Sequence, residues 1–214
     1  MYARWVVESR TRLTVDERRT QLLELGLGLF GERSYDDVSI DDIAHAAGVS
    51  KGLLYHYFGG KRAFYIACVE HAAAGLLAHL DRVRAGQPAD ADGARAGLGA
   101  YLDYVDARAS SYVALMRSGI GTDPEILSTL EKARAVIVAR MVEGLGLEVP
   151  RPIFRLAARS WIGQVEAACL DWLEHRDVPR EALVQLLLAA LWTAIFTATT
   201  LDPEAGVKLG PPPG

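Results

Sequence analysis

The chain has 214 residues, half of them hydrophobic and 23% charged, which is ordinary for a soluble globular protein and long enough for one large or two modest domains. The formal net charge of −4 runs against the basic balance of most nucleic-acid binders, but the charge is unevenly spread. Residues 1–63 hold nine Lys/Arg and nine Asp/Glu, so the acidic excess lies in the rest. Cys68 and Cys169 fall in apolar helical patterns and read as reduced core thiols rather than a disulfide framework, and no Cys/His spacing suits a metal. The first residues lack an apolar signal core, so a cytoplasmic protein is expected.

Residues 1–13 read as a short arm carrying Arg4, Arg10 and Arg12, either a frayed terminus or a basic arm that touches DNA. Thr14 with Glu17 makes a capping box for a helix running to about Phe30, with Leu22, Leu25, Leu29 and Phe30 on its buried face. Gly26 and Gly28 each cost such a helix about 1 kcal/mol relative to alanine, so close packing against a neighbour is expected there. After a turn over 31–37, Ser39 caps a short helix with Asp42 completing the box, and Ile40, Ile43, Ala44 and Ala47 form its apolar stripe. Gly48 stands where the chain needs a positive φ. Ser50 then caps a second helix, 51–58, anchored by Leu54 and Phe58. Ala44, Gly48 and Leu54 occupy the small, turn and anchor positions of a helix-turn-helix. Arg18, Arg19, Lys51, Lys61 and Arg62 have room to share a face with the arm's arginines, because the acids of this segment cluster elsewhere.

A long helix follows to about Ala85, then the clearest loop in the chain, GQPADADG at 86–93. Three further helices are expected at about 94–109, 110–118 and 124–144, the last opened by Pro124. Two long apolar helices, 153–175 and 180 to about 200, close the fold. The stretch 183–200 is the most apolar, yet its threonines and tryptophan suit a buried helix better than a membrane span, which needs about 20 apolar residues. Both closing helices are apolar over more than half their circumference, wider than one core-facing stripe requires, so part of that surface meets a ligand or another subunit. Residues 203–214, ending PPPG, read as a flexible tail.

The run AGVSKGLLYHYFGGK, preceded by SIDDIA and by the helical pattern DERRTQLLELGLGLFGERSYDDVS, resembles the DNA-binding region of TetR-family transcriptional regulators. The likeness covers roughly the first 65 residues; the remainder agrees in length and helical organisation. It implies an all-α protein of about nine helices: an N-terminal three-helix helix-turn-helix domain at 1–63, then a ligand-binding and dimerisation domain at 64–202. It further implies a homodimer on a near-palindromic DNA operator, most often a repressor released by a small-molecule effector, without a cofactor. An activator of the same family is the alternative, as is a helical interaction protein with a degenerate helix-turn-helix.

The residues expected to meet DNA are Ser39, Ser50, Lys51, Gly52, Leu53, Tyr55, His56, Tyr57 and Lys61. Lys51 offers a mobile cation, Gly52 lets backbone approach closely, and tyrosine hydroxyls and a histidine N–H donate to phosphate while their rings pack on sugars. Lys61 adds a cation to a positive helix end. Leu53 stands where many relatives carry threonine, so a phosphate-bonding hydroxyl is lost there. For the effector the candidates are Tyr104, Tyr112, Met116, Met141, Trp161, Val165 and Glu166, aromatic, apolar and few polar groups as small-molecule sites are built. Glu166 lies in the apolar run WIGQVEAACLDW and needs a partner, either an arginine such as Arg117 or Arg140 or a polar or cationic ligand. Ala158, Ala168, Trp172, Leu187, Leu191, Ala194 and Ile195 are the candidates for the dimer interface. An enzyme is not expected: His71 and His175 each directly follow a glutamate, which is not the Glu-x-x-His spacing of a di-iron bundle, and no phosphate loop or nucleophile elbow is present.

Overall fold

The computed structural model describes residues 14–87, 90–117, 123–145 and 151–205. Among these residues are nine α-helices and no strand, as expected of the all-α class. The basic arm at 1–13 and the tail beyond residue 205 lie outside the described residues; Pro203–Ala205 forms a 3-10 turn.

α1 (Val15–Glu32) begins with the predicted box: Glu17 N–H donates to Thr14 Oγ1 at 3.2 Å, and Thr14 N–H donates to Glu17 Oε2 at 2.8 Å. α2 (Ile40–Ala47) repeats the device, with Asp42 N–H donating to Ser39 Oγ at 3.1 Å and Ser39 N–H donating to Asp42 at 2.8 Å. The Ser39 hydroxyl and N–H hold the Asp42 carboxyl down at about 2. Gly48 ends α2 at φ 62°, and α3 (Lys51–Phe58) starts where Leu53 N–H donates to Ser50 Oγ at 3.2 Å. α1, α2, α3 and the first turns of α4 (Lys61–Arg84) close around Leu22, Leu23, Phe30, Val38, Ile43, Leu54, Phe58 and Phe64. Edge-to-face ring pairs tighten this core, Phe30 on Tyr65 at 4.7 Å and Phe58 on Phe64 at 4.8 Å. α1 and α4 approach closely at Gly26, where a Cβ would lie 2.6 Å from the Phe64 ring. Gly28 has open space around it, so the expectation of close packing holds for the first glycine and not the second.

α5 (Ala91–Asp106) starts three residues earlier than the sequence suggested, because Asp90 accepts from the N–H groups of Asp92 and Gly93 at 3.0 and 3.1 Å. α6 (Ala109–Arg117), α7 (Pro124–Gly144), α8 (Pro152–His175) and α9 (Arg180–Leu201) complete the chain. α4 runs beside α5 and α7, while α8 and α9 pack along each other. α4 and α9 are long and apolar enough to cross a membrane by length and composition, but each packs one face on neighbouring helices.

The head and the helical body share a core. Ile126 of α7 is completely buried in the same cluster as Ile43, Leu54 and Phe64, with Leu115 and Leu130 packed against it. Arg62, at the start of α4, forms a bidentate pair with Asp123, the N-cap of α7, at 2.8 and 2.9 Å, and also meets Glu125 at 3.0 Å. α6 lies on α1, where Ser111 Oγ donates to Leu27 O at 2.8 Å.

Candidate nucleic-acid interface and helical body

α3 divides cleanly. Leu54 and Phe58 point into the head's core, and Leu53 and Tyr57 are half-buried at its edges. Lys51, Gly52, Tyr55 and His56 stand outside, Tyr55 with 53% of its surface exposed. These four share one face at helical spacing, and Ser50 leads into it. Tyr57 packs on the head's core and meets His56 edge-on at 5.8 Å, so it braces the exposed face as well as flanking it.

Among the described residues, the lysines and arginines of the head are engaged by groups of the chain itself. Lys51 pairs with Asp41 of α2. Lys61 sits 4.3 Å over the Tyr35 ring and donates to Asp36 O at 3.3 Å. Arg19 lies 5.3 Å from the Phe58 ring centroid, and Arg62 is held by Asp123. The predicted shared basic face is corrected for Arg62, which faces the body because α7 caps itself with the acid that binds it. Arg4, Arg10 and Arg12 lie outside the described residues. Ser39 spends its hydroxyl on α2's own cap and Asp42, donating at 2.6 Å, while its position remains exposed.

The body places the effector candidates on several contacts. Tyr112 and Tyr101 share a hydroxyl–hydroxyl bond of 3.0 Å, and burial raises both phenol pKa values. Val165 and Trp161 belong to the same cluster, and Trp161 Nε1–H donates to Leu187 O at 2.8 Å. Met141 of α7 and Trp161 of α8 pack against the same two buried clusters. Tyr104 turns instead toward α4, donating to Ala72 O at 2.7 Å beneath Arg108, 4.2 Å from its ring. Met116 is half-buried on α6. Glu166 has a partner other than the two named from sequence: Arg134 grips it with two bonds of 2.8 and 2.9 Å. Arg117, at the end of α6, pairs with Glu174 of α8, and Arg140 of α7 pairs with Asp81 of α4. Both cysteines are buried and free; burial raises the Cys68 thiol and pushes Cys169 up to about 12, which keeps them protonated.

The dimer candidates need correction. Ala158, Trp172, Leu187, Leu191 and Ile195 are buried inside the chain's own core, and Ala168 is half-buried beside them. The outward apolar surface is the other side of the same helices: Leu156, Leu186, Phe196 and Leu201, at 56%, 60%, 65% and 66% exposure. Leu156 and Leu201 also line an apolar groove of about 410 Å³ between α8 and α9, in which Ala194 is the one predicted residue. With apolar residues on both sides of α9, periodicity gave no sign of which side packs inward.

Comparisons with known proteins agree with this architecture. Residues 22–68 match the family model described as bacterial regulatory proteins, tetR family, and residues 91–194 match the tetracyclin repressor-like C-terminal domain. A crystal structure of a TetR-family transcriptional regulator from Streptomyces coelicolor is 33% identical, covers 91% of this chain and 87% of its own, and superposes with a TM-score of 0.78. The HTH-type transcriptional activator FasR of Mycolicibacterium smegmatis is 25% identical over 186 residues, 85% of this chain and 84% of its own length. The fold is also that of FadR from Bacillus subtilis, solved with stearoyl-CoA, at 17% identity and a TM-score of 0.65 over 82% of this chain and 96% of that one. The helix-turn-helix, the helical body behind it and these matches have one common reading: the chain belongs to the TetR family of DNA-binding transcriptional regulators.

Proposed function

We propose that the chain works as a homodimer that grips a near-palindromic operator through α3 of each subunit and represses transcription until a small molecule occupies the helical body. The observation that carries the DNA part is the division of α3, with Lys51, Gly52, Tyr55 and His56 outside while Leu54 and Phe58 fix the helix from within. On this reading Ser39, Ser50, Leu53, Tyr57 and Lys61 flank that face and position it on phosphates. Residues 1–63 form the DNA-reading unit and 64–202 the body. One lysine on the exposed face of α3 gives a single subunit little charge for phosphate, so two half-sites are needed for firm binding. The outward patch of Leu156, Leu186, Phe196 and Leu201 supports the dimer, since so much apolar surface on one side of a soluble chain marks an interface. DNA as partner places its work in the cytoplasm, as a regulator without catalytic role.

The body supports an effector through its half-buried Tyr101, Tyr112, Met141 and Trp161. That FadR was solved with stearoyl-CoA favours a ligand with a long apolar part. Release follows from linkage, because a ligand moves the protein off DNA only by binding the DNA-incompetent arrangement more tightly. The activator FasR makes activation the second reading. A reporter fused to the promoter beside this gene separates them: deletion of the gene raises expression if the protein represses and lowers it if the protein activates.

A further inference from the structure

Two acids open α2, and the fold uses them differently. Asp42 is spent on the helix start: it accepts from the Ser39 N–H at 2.8 Å and from the Ser39 hydroxyl at 2.6 Å, and it pairs with Arg33 at 3.4 Å. Asp41 takes no part in the cap. Its Oδ1 meets the Nζ of Lys51, the first residue of α3. Among the described residues neither side chain has another hydrogen bond or ion pair, and both stay well exposed, Asp41 at 62% and Lys51 at 59%.

A lysine ammonium has three N–H donors, and a carboxylate has two acceptor oxygens. The pair engages one of each. Two donors and one oxygen remain, adjacent to one another, at the N-terminal end of the recognition helix. That end is the part of such a helix that meets base edges. The remainder matches one base pair. In the major groove guanine presents two acceptors, N7 and O6, and its cytosine partner presents the N4 donor beside them. An A·T pair presents acceptor, donor, acceptor, so one donor of Lys51 would face a donor and Asp41 would face an acceptor. Breaking the pair on DNA would strand a carboxylate beside phosphates. Kept together, Lys51 and Asp41 carry no net charge and use every group they have left.

We propose that the Lys51–Asp41 pair reads a single G·C base pair in each half-site as one unit, with the ammonium on guanine O6 and N7 and the second carboxylate oxygen on cytosine N4. The proposal rests on reading α3 as the recognition helix. It makes Asp41, on the helix before α3, a determinant of sequence specificity.

The test selects sites from random DNA with the full chain. Affinity is then measured for the selected site, for its single base-pair variants and for an unrelated duplex, across several salt concentrations. The wild type is expected to prefer G·C over A·T about tenfold or more at one position of each half-site. Asp41→Ala should lower that preference at least fivefold and leave the preferences at other positions as they were. Lys51→Met should lower it at the same position, and the double variant should lose little more than either single one, as two parts of one unit do. With its partner gone, Lys51 in Asp41→Ala should bind the unrelated duplex about twofold more tightly, with a steeper salt dependence. Asp41→Asn, which keeps a carbonyl oxygen for cytosine, should retain part of the preference; this gradation separates a lost base contact from a damaged helix start. Tighter binding of the selected site by Asp41→Ala with unchanged base preference would make Asp41 a competitor for Lys51 and overturn the proposal. Loss of preference at different positions in the two single variants would overturn it too. A selected site indifferent to Asp41 contradicts the pair alone, whereas a wild type that selects no site contradicts α3 as the reading helix and the pair with it.

Discussion

One methyl group decides how close α1 and α4 can lie. A Cβ on Gly26 would meet the Phe64 ring at 2.6 Å and Cys68 Sγ at 2.7 Å, both in a rigid core, whereas Gly28 on the same helix faces open space. Gly26→Ala is therefore expected to destabilise the protein by about 1–3 kcal/mol through overpacking. Gly28→Ala should stabilise it by up to about 1 kcal/mol through helix propensity alone. Urea unfolding of the two variants checks both signs. The sequence showed two glycines in an apolar helix and one reason for both; it did not show that a step of two residues carries the second away from α4. Glu166 teaches the same point. Its need for a partner was legible from its apolar neighbours, but the choice of Arg134 depends on how far α7 slides along α8, which no local pattern encodes.

At the scale of elements, what is written locally was legible and what depends on two surfaces was not. The capping boxes at Thr14 and Ser39, the left-handed Gly48 and the Leu54 and Phe58 anchors each follow from backbone chemistry within four residues, and each is present. The inward and outward sides of α9 were not separable, because Leu187 and Leu191 on one side and Leu186 and Phe196 on the other are equally apolar. Nor was the role of α7 visible, since Ile126 reaches the head's core across more than fifty residues of chain. That contact, with the Arg62–Asp123 pair, ties the body to the head. Ile126→Ala is expected to cost about 2–5 kcal/mol and to speed hydrogen exchange in α1 and α4 as well as in α7. Faster exchange confined to α7 would contradict a shared core.

For the whole molecule, the outward patch on α8 and α9 and the exposed face of α3 belong to one design in the proposed dimer. Two copies joined through the patch present two recognition helices, and symmetry then dictates a near-palindromic site. Leu186→Asp combined with Phe196→Asp is expected to convert dimer to monomer in sedimentation while leaving helicity unchanged, because neither side chain is part of the chain's own core. It should also weaken DNA binding without touching α3. The most direct measurement is binding of the purified protein to DNA upstream of its own and neighbouring genes across several salt concentrations, beside a Lys51→Ala/Tyr55→Ala variant. The account predicts sequence-selective binding that falls steeply with salt and is lost in a variant that still melts like the wild type. Equal binding by that variant, or no selective site even after selection from random DNA, would contradict the assignment of α3 as the helix that reads DNA.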